Sequence, residues 1–390
     1  MLSVPLETLG ASKRGHPPAA HRYQAALLME NETGQVLFVH EPQQPWPTAS
    51  LTKMMLMLIV TEKVKEGRRR LTDPVLVSRR ASQIGGSQVY LREGETFPLE
   101  ALMKAIVIHS ANDACVAVAE HVAGSAEGMV ELMNQRATAL GMKNTHYHSV
   151  HGLPPEPGQP EDLSSAHDLA ILARQLVRYP QLLRWGATVE DSFRDGKFQL
   201  LNTNKLLLSY PGVDGIKTGF YGKAGHNIVA TASRRGVRLI AVILGAPSSA
   251  IRFSEAARLL TLGFNGYERV MVIRRGALVE GQVQVIDGKR GIIQPVAARD
   301  GVLFVPKGQA KKITTTFIPA APSLPAPVPQ GKRLGTVRIS LDGHPQTEIA
   351  AIAAEEVPRS SLLWRLLVKL WHRLKGLFDW YVGNPEGKAP

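Results

Sequence analysis

Ser50-Leu51-Thr52-Lys53 follows the Pro-rich turn Pro45-Trp46-Pro47-Thr48 and opens the apolar run Met54-Met55-Leu56-Met57-Leu58-Ile59-Val60. Proline before a start and a long apolar run after it predict a buried helix beginning near Ser50. Residues three apart share a helix face, so the Ser50 hydroxyl and the Lys53 amine meet at the mouth of that helix. A serine needs an adjacent base to act as a nucleophile. A lysine in dry surroundings has a lowered pKa and can be that base. Taken alone, the same four residues also read as a helix cap beside an unrelated lysine.

Two further stretches weigh against the cap. Ser110-Ala111-Asn112 follows the apolar run Leu102 to Ile108, and Lys217-Thr218-Gly219 follows Gly212-Val213-Asp214-Gly215-Ile216. Ser-x-x-Lys, Ser-x-Asn and Lys-Thr-Gly in that order form the motif set of the penicillin-recognising serine enzymes.

The chain has 390 residues, 44% hydrophobic and 20% charged, which is a globular composition with room for more than one domain. Its single cysteine, Cys115, excludes an internal disulfide and a Cys-based metal cluster, and reads as a small core residue. A formal charge of +13 favours an anionic partner. No zinc finger, RNA-recognition signature or aromatic-basic stripe is present, so nucleic acid is not the expected one. His146, His148 and His151 cluster in one loop without a matching partner at metal-ligand spacing and read as loop polar residues; no metal or cofactor is expected.

In chain order, Met1 to His21 reads as unstructured. Tyr23–Met29 and Gln35–Val39 form a hairpin. Helices are expected from about Leu99 to Ser110, over Asp113–Val122, Glu127–Leu140 and His167–Val177, and over Arg252–Leu262 with a stop at Gly263. Thr145 to Ser165 reads as loop. Val213–Lys217 is a strand, followed by a hairpin of Asn227–Ala232 and Val237–Leu244. The fold class is therefore α+β, an antiparallel sheet flanked by helices. Beyond Gly266, short alternating strands separated by Asp-Gly and Lys-Gly turns predict a smaller all-β domain, with a long loop over Pro319–Pro329. The domains read as 1–21 unstructured, 22–264 catalytic, 265–357 β-rich and 359–382 a terminal amphipathic helix. In that helix Leu363, Leu366, Leu367, Leu370, Trp371, Leu374, Leu377, Phe378 and Tyr381 line one side, and Arg365, Lys369, His372, Arg373 and Lys375 the other. This is the pattern of a helix lying in a membrane surface. No stretch reaches the ~18 apolar residues of a spanning helix.

From Ala25 onward the sequence resembles the D-alanyl-D-alanine carboxypeptidases, the low-molecular-mass penicillin-binding proteins. The resemblance rests on the three motifs and on Asn31-Glu32-Thr33-Gly34, Val150-His151-Gly152-Leu153 and Leu259-Leu260-Thr261-Leu262-Gly263-Phe264. It implies a serine peptidase that removes the terminal D-alanine from peptidoglycan pentapeptides and is inhibited by β-lactams, at the outer, periplasmic face of the cytoplasmic membrane. Ser50 would be the nucleophile, Lys53 its base and Ser110 a proton relay to the leaving amine. Asn112 would bond the substrate backbone or steady Lys53. Lys217 would add positive charge, Thr218 would meet the substrate carboxylate and Gly219 would let the substrate lie close. The backbone N–H groups of Ser50 and Phe220 would form the oxyanion hole, and Arg252 sits at the spacing of a carboxylate-binding arginine. Ala111 stands where many members have glycine, and Tyr221 near a usual threonine. Met1 to His21 has no signal-peptide core, and a start placed too far downstream is the expected reason. Two rivals remain open: a class A β-lactamase, with Glu156 or Glu161 as deacylating base, and a non-catalytic membrane-surface scaffold that binds cell-wall polymer.

Overall fold

A computed structural model describes residues 22–362 together with Trp371 and Leu374. The unstructured segment expected over 1–21 and nearly all of the amphipathic helix expected over 359–382 lie outside the described residues. The chain divides into two compact units between Asn265 and Gly266.

The first unit is built on a five-stranded antiparallel sheet. Its strands are β1 (Ala25–Glu30), β2 (Val36–His40), β3 (Val213–Tyr221), β4 (Gly225–Arg234) and β5 (Val237–Ala246). They lie side by side in the order β2, β1, β5, β4, β3, which makes β3 an edge strand. The β1–β2 turn is stitched by the Glu30 carboxylate, which accepts the backbone N–H groups of Glu32 and Thr33 at 2.8 and 2.7 Å. Successive side chains of a strand point to opposite faces. Ala25, Leu27 and Met29 join a helical core on one face.

That core is assembled around α1 (Lys53–Lys65), in which every residue from Lys53 to Val60 is buried. A helix that is apolar all round has to be surrounded. α1 packs against α2 (Asn112–Ala123), α3 (Ala126–Leu140) and α4 (Ala166–Leu176). On the other face of the sheet, α5 (Ser249–Gly266) meets Leu28 and Leu239 through Gly263. The expected stop at Gly263 is therefore corrected: this glycine is a close-packing position inside the helix, which continues to Gly266. The helix from Leu99 is likewise corrected in detail. It is α-helical to Lys104, then widens into a π turn over Ala105–His109 before Ser110. The helix Pro180–Ala187 and the hairpin of Glu190–Phe193 with Phe198–Leu201 went unread in the sequence.

In the second unit, Tyr267–Ile273 pairs with Gly301–Pro306. A four-stranded antiparallel sheet runs in the order Pro295–Ala297, His344–Ala353, Arg333–Leu341, Ile313–Pro319. The loop expected over Pro319–Pro329 is corrected: Ser323–Pro325 pairs in parallel with Val283–Ile286. No helix among the described residues is long and apolar enough to cross a membrane.

Candidate active site

The nucleophile turn is tighter than the sequence suggests. Ala49–Thr52 is a 3-10 turn entered through Ala49 at φ 48°, and α1 begins only at Lys53. This turn sets Lys53 Nζ 2.8 Å from Ser50 Oγ. Lys53 is fully buried, and its ammonium also donates to the His151 carbonyl at 2.5 Å. Burial brings its pKa down to about 8, with smaller opposing contributions from Cys115 and Asp162. A base must be neutral to accept a proton, and the neutral fraction of a lysine grows as pH rises through its pKa. Acylation of Ser50 is therefore expected to climb from neutral pH, reach half its maximum near pH 8 and level off above it. A stopped-flow pH profile with its optimum near pH 5 would contradict a lysine base. The neighbouring Cys115 thiol is buried and pushed up to about 11, so it stays protonated and plays a packing role.

Several groups that fix this turn were not singled out as site residues. Asp162 is buried, and its carboxylate accepts Thr52 Oγ1 at 3.1 Å, Ser149 Oγ at 2.6 Å and the Ser149 N–H at 2.9 Å. Its backbone carbonyl accepts the Thr48 N–H at 3.0 Å. Asn227 donates from β4 to the carbonyls of Pro47 and Thr48 at 2.8 and 3.2 Å. Gly152, at φ 76°, lies so close that a Cβ would strike the Ala49 carbonyl. The stretch Val150 to Leu153 could have flagged this approach, because a glycine beside a catalytic turn often marks close backbone contact. His151 serves through its carbonyl, while its Nδ1 accepts the Leu153 N–H at 3.1 Å. Burial, then the Lys53 charge, pushes its imidazole down to about 4. The rings of His146 and His148 lie 4.4 Å apart. Among the described residues, no group of three or more His, Cys, Asp or Glu is placed to hold a metal.

Ser110 ends the π turn in the left-handed region at φ 66° and is 5% exposed. Asn112 faces a different partner from the Lys53 considered above. Its Nδ2 donates to the Gly85 carbonyl at 2.7 Å, and its backbone N–H to the Ser87 carbonyl at 2.7 Å. Its Oδ1 is buried without a hydrogen-bond partner, so an acceptor stands ready for an incoming N–H. Asp113, one residue on, accepts the N–H groups of Val89 and Leu91 at 3.1 and 3.0 Å.

Lys217-Thr218-Gly219 lies inside β3, not after a strand ending at Lys217 as expected; the two glycines in the stretch mask its strand character. Lys217 Nζ donates to the Thr218 carbonyl at 3.0 Å. Burial, reinforced by the nearby Lys53 charge, holds its pKa well below the usual lysine range. The positive charge expected of it is thus disfavoured in the free protein, and an arriving carboxylate would restore it. Thr218 Oγ1 donates to Thr203 Oγ1 at 2.8 Å. At Gly219 a Cβ would stand 2.8 Å from the Thr48 carbonyl oxygen and 3.0 Å from the Ser50 nitrogen, so β3 reaches the nucleophile turn only through a glycine. Phe220 is exposed and stacks on His226 with ring centroids 4.1 Å apart. Arg252, in the first turn of α5, is 7% exposed and donates to the Gly219 and Asn227 carbonyls at 3.2 and 3.3 Å. Burial lowers its pKa to about 10. Glu161 has both carboxylate oxygens engaged, by Tyr221 Oη at 2.9 Å and Lys223 Nζ at 2.7 Å, which leaves it poorly suited to activate a deacylating water.

Comparison with known proteins agrees with this arrangement. Residues 11–248 match the family model described as D-alanyl-D-alanine carboxypeptidase, and residues 267–359 match penicillin-binding protein 5, C-terminal domain. The chain is 35% identical to D-alanyl-D-alanine carboxypeptidase DacF of Bacillus subtilis over 347 residues, 88% of each chain. Penicillin-binding protein 5 of Haemophilus influenzae superposes with a TM-score of 0.79 at 30% identity, covering 88% of this chain and 100% of that one. Penicillin-binding protein D2 of Listeria monocytogenes, solved in an ampicillin-bound form, gives a TM-score of 0.58 at 28% identity over 64% of this chain and 100% of that one.

Proposed function

The chain belongs to the D-alanyl-D-alanine carboxypeptidase family of serine peptidases, and from that premise we infer that Ser50 carries the acyl group released from a peptidoglycan stem peptide. The observation that supports this most is the Ser50 Oγ to Lys53 Nζ distance of 2.8 Å around a fully buried amine. Neutral Lys53 takes the Ser50 proton as Oγ attacks the carbonyl between the two D-alanines. The developing oxyanion is met by the backbone N–H groups of Ser50 and Phe220. Ser110 passes a proton to the leaving amine. Thr218, Lys217 and Arg252 receive the terminal carboxylate, and the unpartnered Asn112 Oδ1 accepts an amide N–H of the peptide. Water then cleaves the ester.

β-Lactams present a carbonyl and a carboxylate to the same groups and are expected to acylate Ser50. Intact-mass and peptide-mapping analysis after incubation with penicillin tests the assignment. One penicilloyl group on the peptide containing Ser50 is expected, and an adduct on any other serine would sink it.

The protein is further placed at the outer face of the cytoplasmic membrane by its terminal helix. Trp371 and Leu374, both helical and on the leucine-rich side of the sequence pattern, are 67% and 53% exposed. Crossing the bilayer would drag Arg365, Lys369 and Arg373 through hydrocarbon, at about 2.5–3.5 kcal/mol each near a helix centre. Lying flat avoids this and lets the basic side meet anionic headgroups. Deleting residues 359–390 is expected to abolish co-sedimentation with anionic vesicles while penicillin binding persists. Equal sedimentation of the full-length and shortened proteins would refute the anchor.

A further inference from the structure

Tyr90 is held in an unusual way. It is 68% exposed and sits in the left-handed region at φ 54°, which non-glycine residues rarely adopt. Strained backbone persists only where its surroundings over-determine it, and here they do. The N–H groups on either side, of Val89 and Leu91, are both bound by Asp113, the residue directly after the Ser110-Ala111-Asn112 motif. The Tyr90 carbonyl accepts from Arg194 at 2.7 Å, and the same guanidinium is clamped by Glu95. An exposed aromatic ring is thus fixed rigidly to the catalytic motif.

The ring continues into a cluster. Tyr90 meets Phe198 edge-on with centroids 6.1 Å apart, and Phe198 meets His109 at 5.4 Å. His109 immediately precedes Ser110. The neighbouring Ile108 carbonyl accepts the Thr203 N–H at 3.3 Å, and Thr203 Oγ1 in turn holds Thr218 Oγ1 at 2.8 Å. Thr218 and Ser110 are the groups that face the leaving D-alanine, one at its carboxylate and the other at its amine. The aromatic cluster therefore extends from the leaving-group end of the site.

We propose that Tyr90, Phe198 and His109 form a shelf for amino-acid amines with large apolar or aromatic side chains, which enter where D-alanine leaves and take the acyl group from Ser50. By microscopic reversibility the place vacated by the leaving amine is the place an accepting amine occupies. In the transfer the neutral amine nitrogen attacks the acyl carbonyl carbon. The C–N bond forms, the bond from carbon to Ser50 Oγ breaks, and the nitrogen proton passes through Lys53 or Ser110 to Ser50 Oγ. No oxidant or further reactant is required. The shelf ring face and edges supply the apolar contact that distinguishes a large acceptor from a small one.

The inference rests on the carboxypeptidase reading, and one experiment separates the two. The full-length protein is given an N-acylated peptide ending in D-Ala-D-Ala, with equal concentrations of glycine and D-phenylalanine as competing acceptors. Mass spectrometry quantifies the two transfer products and the hydrolysed peptide. The ratio of the transfer products is a property of the acyl-enzyme alone and is independent of how fast that species forms. Wild type is expected to favour D-phenylalanine about three- to tenfold. Tyr90→Ala should bring the ratio to within about twofold of unity, and Tyr90→Phe should keep it. If Tyr90→Ala fails to fold, Phe198→Ala, on a separate hairpin, decides by the same ratio. Release of D-alanine without any acceptor preference in wild type overturns the shelf and spares the carboxypeptidase reading, as does an undiminished preference in the folded alanine variant. A wild-type protein that releases no D-alanine overturns both.

Discussion

Ser50→Ala is expected to form no penicilloyl adduct and to release no D-alanine, while keeping its fold. The reason lies in what surrounds the hydroxyl. The other nucleophile-bearing side chain near Lys53 is Cys115, whose thiol is buried and pushed up to about 11. It cannot supply a thiolate at neutral pH. Ser110 ends a different turn and has no printed hydrogen bond to a base that would activate it. Removing one hydroxyl from a turn held by Asp162, Asn227 and Gly152 leaves those contacts in place, so an unchanged melting curve should accompany the loss. Residual turnover above the level of the uncatalysed reaction, measured by D-alanine release, would show that the nucleophile lies elsewhere.

Lys53→Met should slow acylation by about 10²–10⁴-fold, the contribution of a positioned general base. Methionine fills a similar volume but cannot accept a proton. The site offers no obvious replacement: Lys217 is buried and bonded to the Thr218 carbonyl, and the His151 Nδ1 is committed to the Leu153 N–H. The variant should also lose the rise in rate around pH 8 that neutral Lys53 confers. A Lys53→Met protein that acylates within tenfold of wild type, with the same pH profile, would assign the base to another group.

The broad fold was legible because its signals are local and strong. The apolar run of α1, the β1–β2 and β4–β5 hairpins, and the glycines that close α2 and α3 in the left-handed region all announce themselves in sequence. The Ser-x-x-Lys spacing likewise places two side chains on one turn, whether that turn is α or 3-10. What stayed hidden depends on contacts across long stretches of chain. Asp162 matters because it reaches Thr48 and Thr52, more than a hundred residues earlier. Gly152 and Gly219 matter through the backbone atoms they approach, which no local pattern encodes. Gly263 looked like a helix stop because glycine serves both as a cap and as a close-packing residue. The charged turn Arg194-Asp195-Gly196-Lys197 concealed the hairpin that carries Phe198.

Two buried lysines without a carboxylate at hand put catalysis and thermal stability in opposition. Lys53 in the unfolded chain would have a pKa near the model value of 10.5, against about 8 in the folded protein. Below pH 8 the folded state therefore carries a disfavoured charge, at an order-of-magnitude cost of about 3 kcal/mol. That cost is fully present at neutral pH and is relieved as pH rises through the interval between the two values. The base that makes Ser50 reactive is thus a standing source of instability in the centre of the core. Lys53→Met should melt at a higher temperature than wild type at pH 7, with the difference shrinking towards pH 10. Selection for heat tolerance alone would drive this chain towards an inert protein that still has the shape of an enzyme.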